Sequence, residues 1–427
     1  MSLNNDTTTH KTLLCGLLGK TLGHSFSPII HSYLGDYGYR LFEKSEEELG
    51  EFLTNGDFHA INVTIPYKKA VIPYLSKMSD EAKRIGSVNT VIRLSDGSLF
   101  GDNTDYFGFS CLVRKSKIDI KGKKAIILGN GGASLTVKAV LCDMGAKSVA
   151  VISRSGEDNY TNLSRHADAQ IIVNTTPVGM YPNNGSAAIN LADFSECVAV
   201  FDLIYNPART ALMLEADRLS IPNYGGLLML VAQAKRAAEL FTDTKIDDML
   251  IDEITSKLLK DTQNIVLVGM PGSGKSTLSK MLAEKLGREF IDTDEEILKR
   301  EIASGRRRSI PDIFTEEGES GFREIESQVI SDIAKQSRRV IATGGGAVTQ
   351  SQNYDALKQN SVIFFIDRPT ELLPTDGRPL SQSSGVSALY EARLPLYISF
   401  SDIRVKNICS PEETVHEIIS KFNSFNF

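Results

Sequence analysis

The sequence predicts an α/β protein with more than one domain. Short apolar runs alternate with stretches of helical periodicity, which is typical of parallel sheets covered by helices. The runs that we interpret as strands are 125–128, 149–152, 171–173, 198–204, 265–268, 340–342 and 362–366. Glycine-rich loops follow two of these strands, and such loops bind nucleotides in α/β folds. A chain of 427 residues is also too long for one average domain, so we expect two or three.

Composition argues against several classes of partner. The net charge is -6, so there is no electrostatic footprint for nucleic acid or an anionic membrane. The basic run 306–308 is most simply a solvated or mobile loop. Five cysteines without a C-x-x-C pair predict reduced thiols. Residues 1–10 are polar and no later segment reaches membrane-spanning length, so we expect a cytoplasmic protein; the oligomeric state stays open.

Polar clusters in the first hundred residues are hard to explain as packing. Ser25 and Ser27 are two apart, so in extended backbone both hydroxyls would face one side and could hold a carboxylate. A ketone that accepts a hydride needs a proton on its oxygen, which a lysine oriented by a carboxylate can supply. Further groups of this kind are Asn62, Thr64 and Lys68 at even spacing on what we interpret as one strand, then Asn89 with Thr90, and Asp102 with Asp105.

The first glycine loop is a variant dinucleotide loop. It runs from Gly129 to Ser134 between a strand and a helix, and Ser134 replaces the third glycine of G-x-G-x-x-G. After the next strand, Arg154 stands where a ribose-binding carboxylate would be expected, which favours the 2′-phosphate of NADP. Glu157 and Asp158 would repel that phosphate if they pointed inward. A plain surface arginine is the alternative.

The second glycine loop, 269–276, is a complete G-x-x-x-x-G-K-S phosphate loop between a strand and a helix. Backbone N–H groups of such a loop surround the β-phosphate of a nucleotide. Lys275 would bridge the β- and γ-phosphates, and the Ser276 hydroxyl would hold Mg²⁺. This part of the chain therefore binds a nucleoside triphosphate.

Charged residues beyond that loop form a second constellation. Asp292 and Asp294 follow a probable strand, where one could attend Mg²⁺ and the other accept a hydroxyl proton. Arg323 and Glu326 share a helical face, which is often only surface decoration. Together with Arg393 and the glycines 344–346, these groups suit a small carboxylate substrate.

Residues 14–238 resemble shikimate dehydrogenase. The matching segments are GHSFSP at 23–28, NVTIPYK at 62–68, SVNT at 87–90, GDNTD at 101–105, NTTPVGM at 174–180, DLIYNP at 202–207 and GLLMLVAQ at 226–233. The resemblance implies that Lys68 and Asp105 are the catalytic pair. It also implies that Ser25, Ser27 and Tyr205 hold the substrate carboxylate, and that the ring oxygens are bound by Asn62, Thr64, Asn89, Asp105 and Gln233. The NADP side is expected to comprise Gly129, Asn130, Gly131, Gly132, Ala133, Ser153, Arg154, Ser155, Thr176, Ile204, Gly226 and Met229. Residues 153–155 are Ser-Arg-Ser, where the family commonly has Asn-Arg-Thr. This difference weakens the expectation that the enzyme prefers NADP.

Residues 264–421 look like shikimate kinase. The resemblance gives ATP and Mg²⁺ to Gly272, Ser273, Gly274, Lys275, Ser276 and Thr277, with Asp292 in the metal shell. It also implies that shikimate is bound by Asp294, Arg323, Gly345, Gly346 and Arg393, and that Asp294 and Lys275 are catalytic. Arg378 would lie in a lid over the nucleotide. That lid is shorter than most, with Pro374 where an extra arginine is often found, so its effect on ATP affinity is open.

The two resemblances explain each other, because the product of the first reaction is the substrate of the second. We expect a bifunctional enzyme that uses NADP(H), ATP and Mg²⁺, with a substrate domain at 12–110 completed by 226–258, a Rossmann-like NADP domain at 111–225 and a phosphate-loop kinase domain at 262–427. The alternatives are a quinate-preferring dehydrogenase half, a catalytically silent half, and a non-catalytic regulator built from these domains. Fusion alone does not imply channelling between the sites.

Overall fold

The computed structural model describes residues 13–23, 25–373 and 385–425. Two compact units divide the chain. The first contains the residues up to Pro177, then Ala188–Ile204 and Glu215–Thr255, and the second contains Val178–Ala187, Tyr205–Leu214 and the chain from Ser256 onward. The predicted α/β class is confirmed in both.

The first unit begins with a mixed six-stranded sheet in the order β2-β1-β3-β5-β6-β4. Its strands are β1 (Leu14–Gly19), β2 (Gly38–Glu43), β3 (Ala60–Val63), β4 (Lys77–Met78), β5 (Thr90–Arg93) and β6 (Leu99–Asp102), and its helices are α1 (Ser27–Ser32), α2 (Leu49–Asn55), α3 (Asp80–Ile85) and α4 (Thr104–Ser116). β5 runs antiparallel to both β3 and β6. The apolar runs in the sequence did not indicate this antiparallel part.

The second sheet of this unit is parallel, in the order β11-β10-β9-β7-β8. Its strands are β7 (Lys124–Leu128), β8 (Ser148–Ile152), β9 (Ile171–Asn174), β10 (Ala199–Asp202) and β11 (Asn223–Gly225), and helices α5 (Gly132–Asp143) and α7 (Leu227–Thr242) also belong to this unit. The chain passes from one unit to the other after Pro177, Ala187 and Ile204, and again within α6 (Ala211–Arg218) and α8 (Met249–Thr262). β7 and β9 are fully buried apart from the first residue of β7, as expected for parallel strands covered on both faces.

The second unit contains a five-stranded parallel sheet in the order β13-β14-β12-β15-β16. The strands are β12 (Asn264–Val268), β13 (Glu289–Asp292), β14 (Arg339–Ala342), β15 (Ser361–Asp367) and β16 (Ile403–Lys406), and the helices are α9 (Lys275–Leu286), α10 (Thr293–Ala303), α11 (Ile310–Ala334), α12 (Ser351–Lys358), α13 (Val386–Phe400) and α14 (Pro411–Asn423). Val266 and Val268 face one apolar core while Ile265 and Leu267 face another, so both faces of β12 are buried.

The basic run 306–308 lies in a loop in which Arg306 and Arg307 are exposed, but the Arg308 side chain is only 11% exposed. Arg308 pairs with Glu301 at 2.7 Å, Glu316 at 3.1 Å and Glu317 at 2.5 Å. Glu301 is almost fully buried, so its carboxylate needs these cations, and Arg306 pairs with it as well at 3.2 Å. Arg306 and Arg308 therefore belong to an ion-pair network and do not form a free basic patch.

All five cysteines, which lie in the described residues, are free thiols. Across those same residues, no helix has both the length and the apolar character needed to cross a membrane.

Candidate active sites

Lys68 and Asp105 are brought together in the first unit. Lys68 Nζ donates to Asp105 Oδ2 over 2.5 Å, and Asn89 Nδ2 donates to the other carboxylate oxygen over 2.9 Å. Asp105 is nearly buried in the first turn of α4, whereas Lys68 keeps part of its side chain exposed. The carboxylate thus orients an ammonium group that solvent and a ligand can still reach.

The predicted ring-binding amides lie in the same network. Asn89 Nδ2 also lies 3.2 Å from Gln233 Oε1, and Asn62 Nδ2 lies 3.4 Å from Thr90 Oγ1. All of these side chains are buried and polar, which costs free energy unless each is hydrogen-bonded. The structure therefore places Asn62, Asn89 and Gln233 in one connected polar cluster.

Two members of this cluster, Thr104 and Tyr39, were given no individual role by the sequence prediction. The N–H and hydroxyl of Thr104 donate to Asn89 Oδ1 over 2.7 and 3.1 Å, which fixes the direction of the Asn89 amide. The Tyr39 hydroxyl donates to Asn62 Oδ1 over 2.8 Å and does the same for Asn62. Tyr39 is 23 positions away from its partner, so no local spacing signalled it.

Two segments, 62–68 and 25–27, were predicted to be extended throughout, and this prediction is wrong. Strand β3 ends at Val63, and a turn follows it, because Pro66 has no N–H for a sheet ladder. Lys68 therefore reaches its partner from a turn and not from the strand that its even spacing predicted. Ser25 and Ser27 are not extended either: Ser27 is the first residue of α1, and its N–H donates to Ser25 Oγ over 3.2 Å.

The dinucleotide loop lies beside Lys68. Gly129 has φ of 104°, a conformation that favours glycine, and Gly131 is the N-cap of α5. A side-chain carbon on Gly132 would lie 3.0 Å from Ser87 Oγ and 3.4 Å from the Lys68 side chain. The loop and the lysine thus border one space, where an open helix N-terminus can accept an anion. Asn130 and Ala133 belong to the same loop and helix start.

Arg154 lies exposed after β8, between the buried Ser153 and the exposed Ser155. The Asp158 carboxylate lies 2.8 Å from His166 Nε2, so it already has a hydrogen-bonding partner close to it in the chain. Glu157 is exposed. One of the two carboxylates that spoke against a phosphate at Arg154 is therefore occupied.

The remaining predicted NADP residues follow strands β9 to β11. Thr176 Oγ1 donates to Asn174 Oδ1 over 2.7 Å, and a side-chain carbon on Gly129 would lie 3.0 Å from Thr176 Cγ2. Gly226 N donates to Ile204 O over 3.0 Å, and its Cα is so close to the Leu203 carbonyl that a side chain would not fit. Met229 is buried in the core of this parallel sheet.

Tyr205 and Thr64 complete the dehydrogenase prediction. Tyr205 belongs to the second compact unit, and burial raises the pKa of its phenol. Thr64 follows β3, where its N–H donates to Leu18 O over 2.9 Å. Their roles toward a substrate stay predictions.

The phosphate loop follows β12 in the second unit. Gly269 and Gly274, the two glycines of the motif, have φ of 150° and 95°, which is why the motif needs glycine there, and Gly272 between them has φ of 80°. Gly274 is the N-cap of α9, so Lys275, Ser276 and Thr277 form the first turn of that helix. Lys275 Nζ donates to the carbonyl oxygens of Gly269 and Met270 over 3.0 Å each, which holds the ammonium over the loop.

Ser276 and Asp292 are in contact. Ser276 Oγ donates to Asp292 Oδ2 over 2.6 Å, and Asp292 Oδ1 accepts from the N–H of Asp294 as the N-cap of α10. A hydroxyl and a carboxylate fit Mg²⁺, which usually takes one or two protein oxygens and completes its shell with water and phosphate. Among the described residues, no group of three or more His, Cys, Asp or Glu side chains is arranged to hold a metal ion.

Asp294 has the environment of a base. Burial raises the pKa of its carboxyl, and the negative charge of Asp292 raises it further, while Lys275 and Arg323 oppose the change. A carboxylate with a raised pKa is a stronger proton acceptor than an exposed aspartate.

Arg323, Arg393 and the glycine triplet converge next to Asp294. Arg323 Nη1 donates to the fully buried Glu326 over 2.6 Å, and Arg393 Nη1 donates to Gly345 O over 3.2 Å. Gly346 packs against the Arg323 guanidinium, where a larger residue would collide with it. Gly344 lies between carboxylate oxygens of Glu326 and Asp294. Two buried arginines can bind the carboxylate of a substrate, and the carboxylate of Asp294 beside them can accept a proton from a hydroxyl of the same substrate.

Glu326 and Tyr397 are functional candidates that the sequence analysis did not assign. Burial raises the pKa of Glu326, and Arg323 opposes this change. Its spacing of three from Arg323 on one helical face was the available signal. The Tyr397 hydroxyl donates to Gly345 O over 2.6 Å and so helps to fix the triplet. Arg378 and Pro374 lie outside the described residues.

Comparisons with known proteins agree with both resemblances. Residues 17–91 match the shikimate dehydrogenase substrate binding domain, and residues 271–423 match shikimate kinase. A shikimate dehydrogenase (NADP(+)) of Clostridium beijerinckii is 36% identical over 260 residues, which cover 56% of this chain and 96% of the relative.

Solved structures give the same result for the first part of the chain. Shikimate dehydrogenase 1 from Peptoclostridium difficile is 37% identical, with a TM-score of 0.54, and the match covers 58% of this chain and 98% of that one. A Thermus thermophilus shikimate 5-dehydrogenase, solved in complex with NADP(H) and shikimate, is 30% identical with a TM-score of 0.53 and coverage of 58% and 99%.

Proposed function

The chain belongs to the shikimate dehydrogenase family and also carries a shikimate kinase domain, and from this premise we propose that it is a bifunctional enzyme of the shikimate pathway. It reduces 3-dehydroshikimate to shikimate with NADPH, and it then transfers the γ-phosphoryl group of ATP to the 3-hydroxyl of shikimate. The observation that carries the proposal is the presence in one chain of two families whose reactions share shikimate as product and substrate.

In the first reaction the carbonyl oxygen of 3-dehydroshikimate gains a proton while its carbon gains a hydride. NADPH, when bound at the loop 129–133, supplies the hydride. Lys68 donates the proton in this proposal, which is supported by the 2.5 Å contact of its ammonium with Asp105 and by the dinucleotide loop beside its side chain. Asn62, Asn89 and Gln233 are the proposed partners of the ring oxygens, and Ser25, Ser27 and Tyr205 those of the carboxylate.

In the second reaction Asp294 accepts the proton of the attacking hydroxyl, and Lys275 stabilises negative charge on the transferring phosphoryl group. Mg²⁺, when bound, neutralises charge on the phosphate oxygens, with Ser276 and Asp292 as its protein partners. Arg323 and Arg393 bind the shikimate carboxylate, and Glu326 keeps Arg323 in place. The dehydrogenase residues 12–258 and the kinase residues 262–427 are the domain limits that we propose, and the cytoplasm is the proposed location.

A coupled assay tests the proposal. Purified protein with 3-dehydroshikimate and NADPH should oxidise NADPH and accumulate shikimate. Addition of ATP with Mg²⁺ should convert that shikimate into shikimate 3-phosphate with one ADP per molecule. Failure of NADPH oxidation would reject the dehydrogenase half, and unchanged shikimate after ATP addition would reject the kinase half.

A further inference from the structure

Arg368 lies at the rim of the phosphate loop. It directly follows the last residue of β15. β15 pairs in parallel with β12, so the ends of the two strands, where the phosphate loop and Arg368 begin, lie at the same edge of the sheet. A side-chain carbon placed on Gly274 would lie 4.0 Å from Arg368 Nη1. Gly274 precedes Lys275 at the start of α9, so the guanidinium borders the part of the loop whose N–H groups face a bound phosphate.

The charge of Arg368 is not compensated by the groups around it. Its Nε is buried and has no hydrogen-bond partner, and within 13–23, 25–373 and 385–425 it forms no ion pair. The carboxylate next to it in sequence, Asp367, is already engaged. Arg404 donates to Asp367 Oδ2 over 2.7 and 3.1 Å, and the Tyr390 hydroxyl donates to Oδ1 over 2.9 Å. A guanidinium has five donors and no acceptor, so an anionic partner satisfies it best.

The loop is held in place on the side of Arg368. Asn407 Nδ2 donates to Ser273 O over 2.7 Å, and Asn407 Oδ1 accepts from the Thr414 hydroxyl over 3.2 Å. Asn407 Nδ2 also lies 2.8 Å from the position of a side-chain carbon on Gly274. A fixed loop keeps any anion that it binds at a constant distance from the neighbouring cation, which favours a defined ion pair.

We propose that Arg368 is a further nucleotide-binding residue of the kinase site and pairs with a phosphate oxygen of ATP and ADP. This inference rests on the proposed function, in which the loop 269–276 holds ATP. Contact with a phosphate is favoured over contact with the base, because the guanidinium lies beside a glycine of the phosphate-binding loop and its unpaired donors require an anion.

The test compares Arg368→Gln with Lys406→Gln. Lys406 is exposed at the end of the adjacent strand β16, in register with Asp367, so its variant removes an equal charge from the same sheet edge. The dissociation constant of ADP, measured by titration calorimetry, and the KM for ATP at saturating shikimate should rise about tenfold or more in Arg368→Gln. They should change less than about twofold in Lys406→Gln. Arg368→Lys should recover part of the loss.

Salt dependence separates an ion pair from other contacts. Ionic strength should weaken ADP binding less steeply in Arg368→Gln than in the unaltered protein, because one charge pair is missing. The assignment would be overturned if the Arg368→Gln and Lys406→Gln variants bound ADP equally well. It would also be overturned if ionic strength weakened ADP binding equally steeply in Arg368→Gln and in the unaltered protein. NADPH oxidation and the melting temperature of Arg368→Gln should stay unchanged, which excludes misfolding. If Lys275→Ala still phosphorylates shikimate, the proposed function fails; if only Arg368→Gln is normal, this inference alone fails.

Discussion

Lys68 Nζ lies 2.5 Å from Asp105 Oδ2, although the two residues are 37 positions apart in the chain. The turn after β3 carries the lysine and the first turn of α4 carries the aspartate. Asn89 binds the second oxygen of the carboxylate. The ammonium therefore has a fixed direction while it remains partly exposed, which is the arrangement that a proton donor to a bound ketone requires.

We expect Lys68→Ala to lower the rate of NADPH oxidation with 3-dehydroshikimate by roughly a hundredfold or more, the usual scale for a lost general acid. Phosphorylation of added shikimate should be unaffected. Lys69→Ala is the matched control, because Lys69 is exposed in the same turn. A Lys68→Ala variant that oxidises NADPH as fast as this control would show that Lys68 is not the donor.

A second prediction concerns the selection of NADP over NAD. Arg154→Ala removes a charge-assisted contact to the 2′-phosphate, so the ratio of kcat/KM for NADPH and NADH should fall by roughly tenfold to a hundredfold. The value for NADH should hardly change, because NADH has no 2′-phosphate. Arg165→Ala, at another exposed arginine of this unit, should leave the ratio unchanged. Equal losses with both cofactors would contradict the role of Arg154.

The sequence was informative where burial alone determines the structure. β7, β9, β12 and β15 are apolar runs because parallel strands are covered on both faces, and each was predicted within one residue or so. β5 is only half-buried at its end and β6 alternates between buried and half-buried residues, so neither produces a continuous apolar run. The antiparallel part of the first sheet was missed for this reason.

The sequence indicated which residues belong to the sites, but it did not indicate which of them contact one another. The positive φ angles of the phosphate loop explain why its motif is legible in the sequence. By contrast, the partners that orient Asn62 and Asn89 come from Tyr39 and Thr104, and only the tertiary fold brings them together. Even spacing from Asn62 to Lys68 also misled, because the chain turns at Pro66.

The raised pKa of Asp294 predicts a conflict between stability and function. Its folded pKa lies above the unfolded value, so the ionised carboxylate destabilises the fold once the pH exceeds the unfolded pKa. Asp294→Asn should therefore raise the melting temperature of the protein at pH 7, because the amide carries no charge that burial can penalise. The gain should shrink as the pH falls through the folded pKa and disappear below the unfolded pKa, because Asp294 is then protonated in both states. A destabilised variant at pH 7, measured by calorimetry, would contradict the cause that we assign to the shift.

Lys275 and Asp294 should fail in different ways in the kinase assay. Lys275 acts on the phosphoryl group in transit, so Lys275→Ala should abolish phosphorylation even when shikimate is saturating. Asp294→Asn keeps the size of the side chain and removes its basicity, so ADP should still bind with a dissociation constant close to that of the unaltered protein while transfer collapses. In the coupled reaction from 3-dehydroshikimate, Asp294→Asn should consume NADPH and accumulate free shikimate. Detection of shikimate 3-phosphate at the unaltered rate would reject Asp294 as the base, because an amide cannot accept the hydroxyl proton.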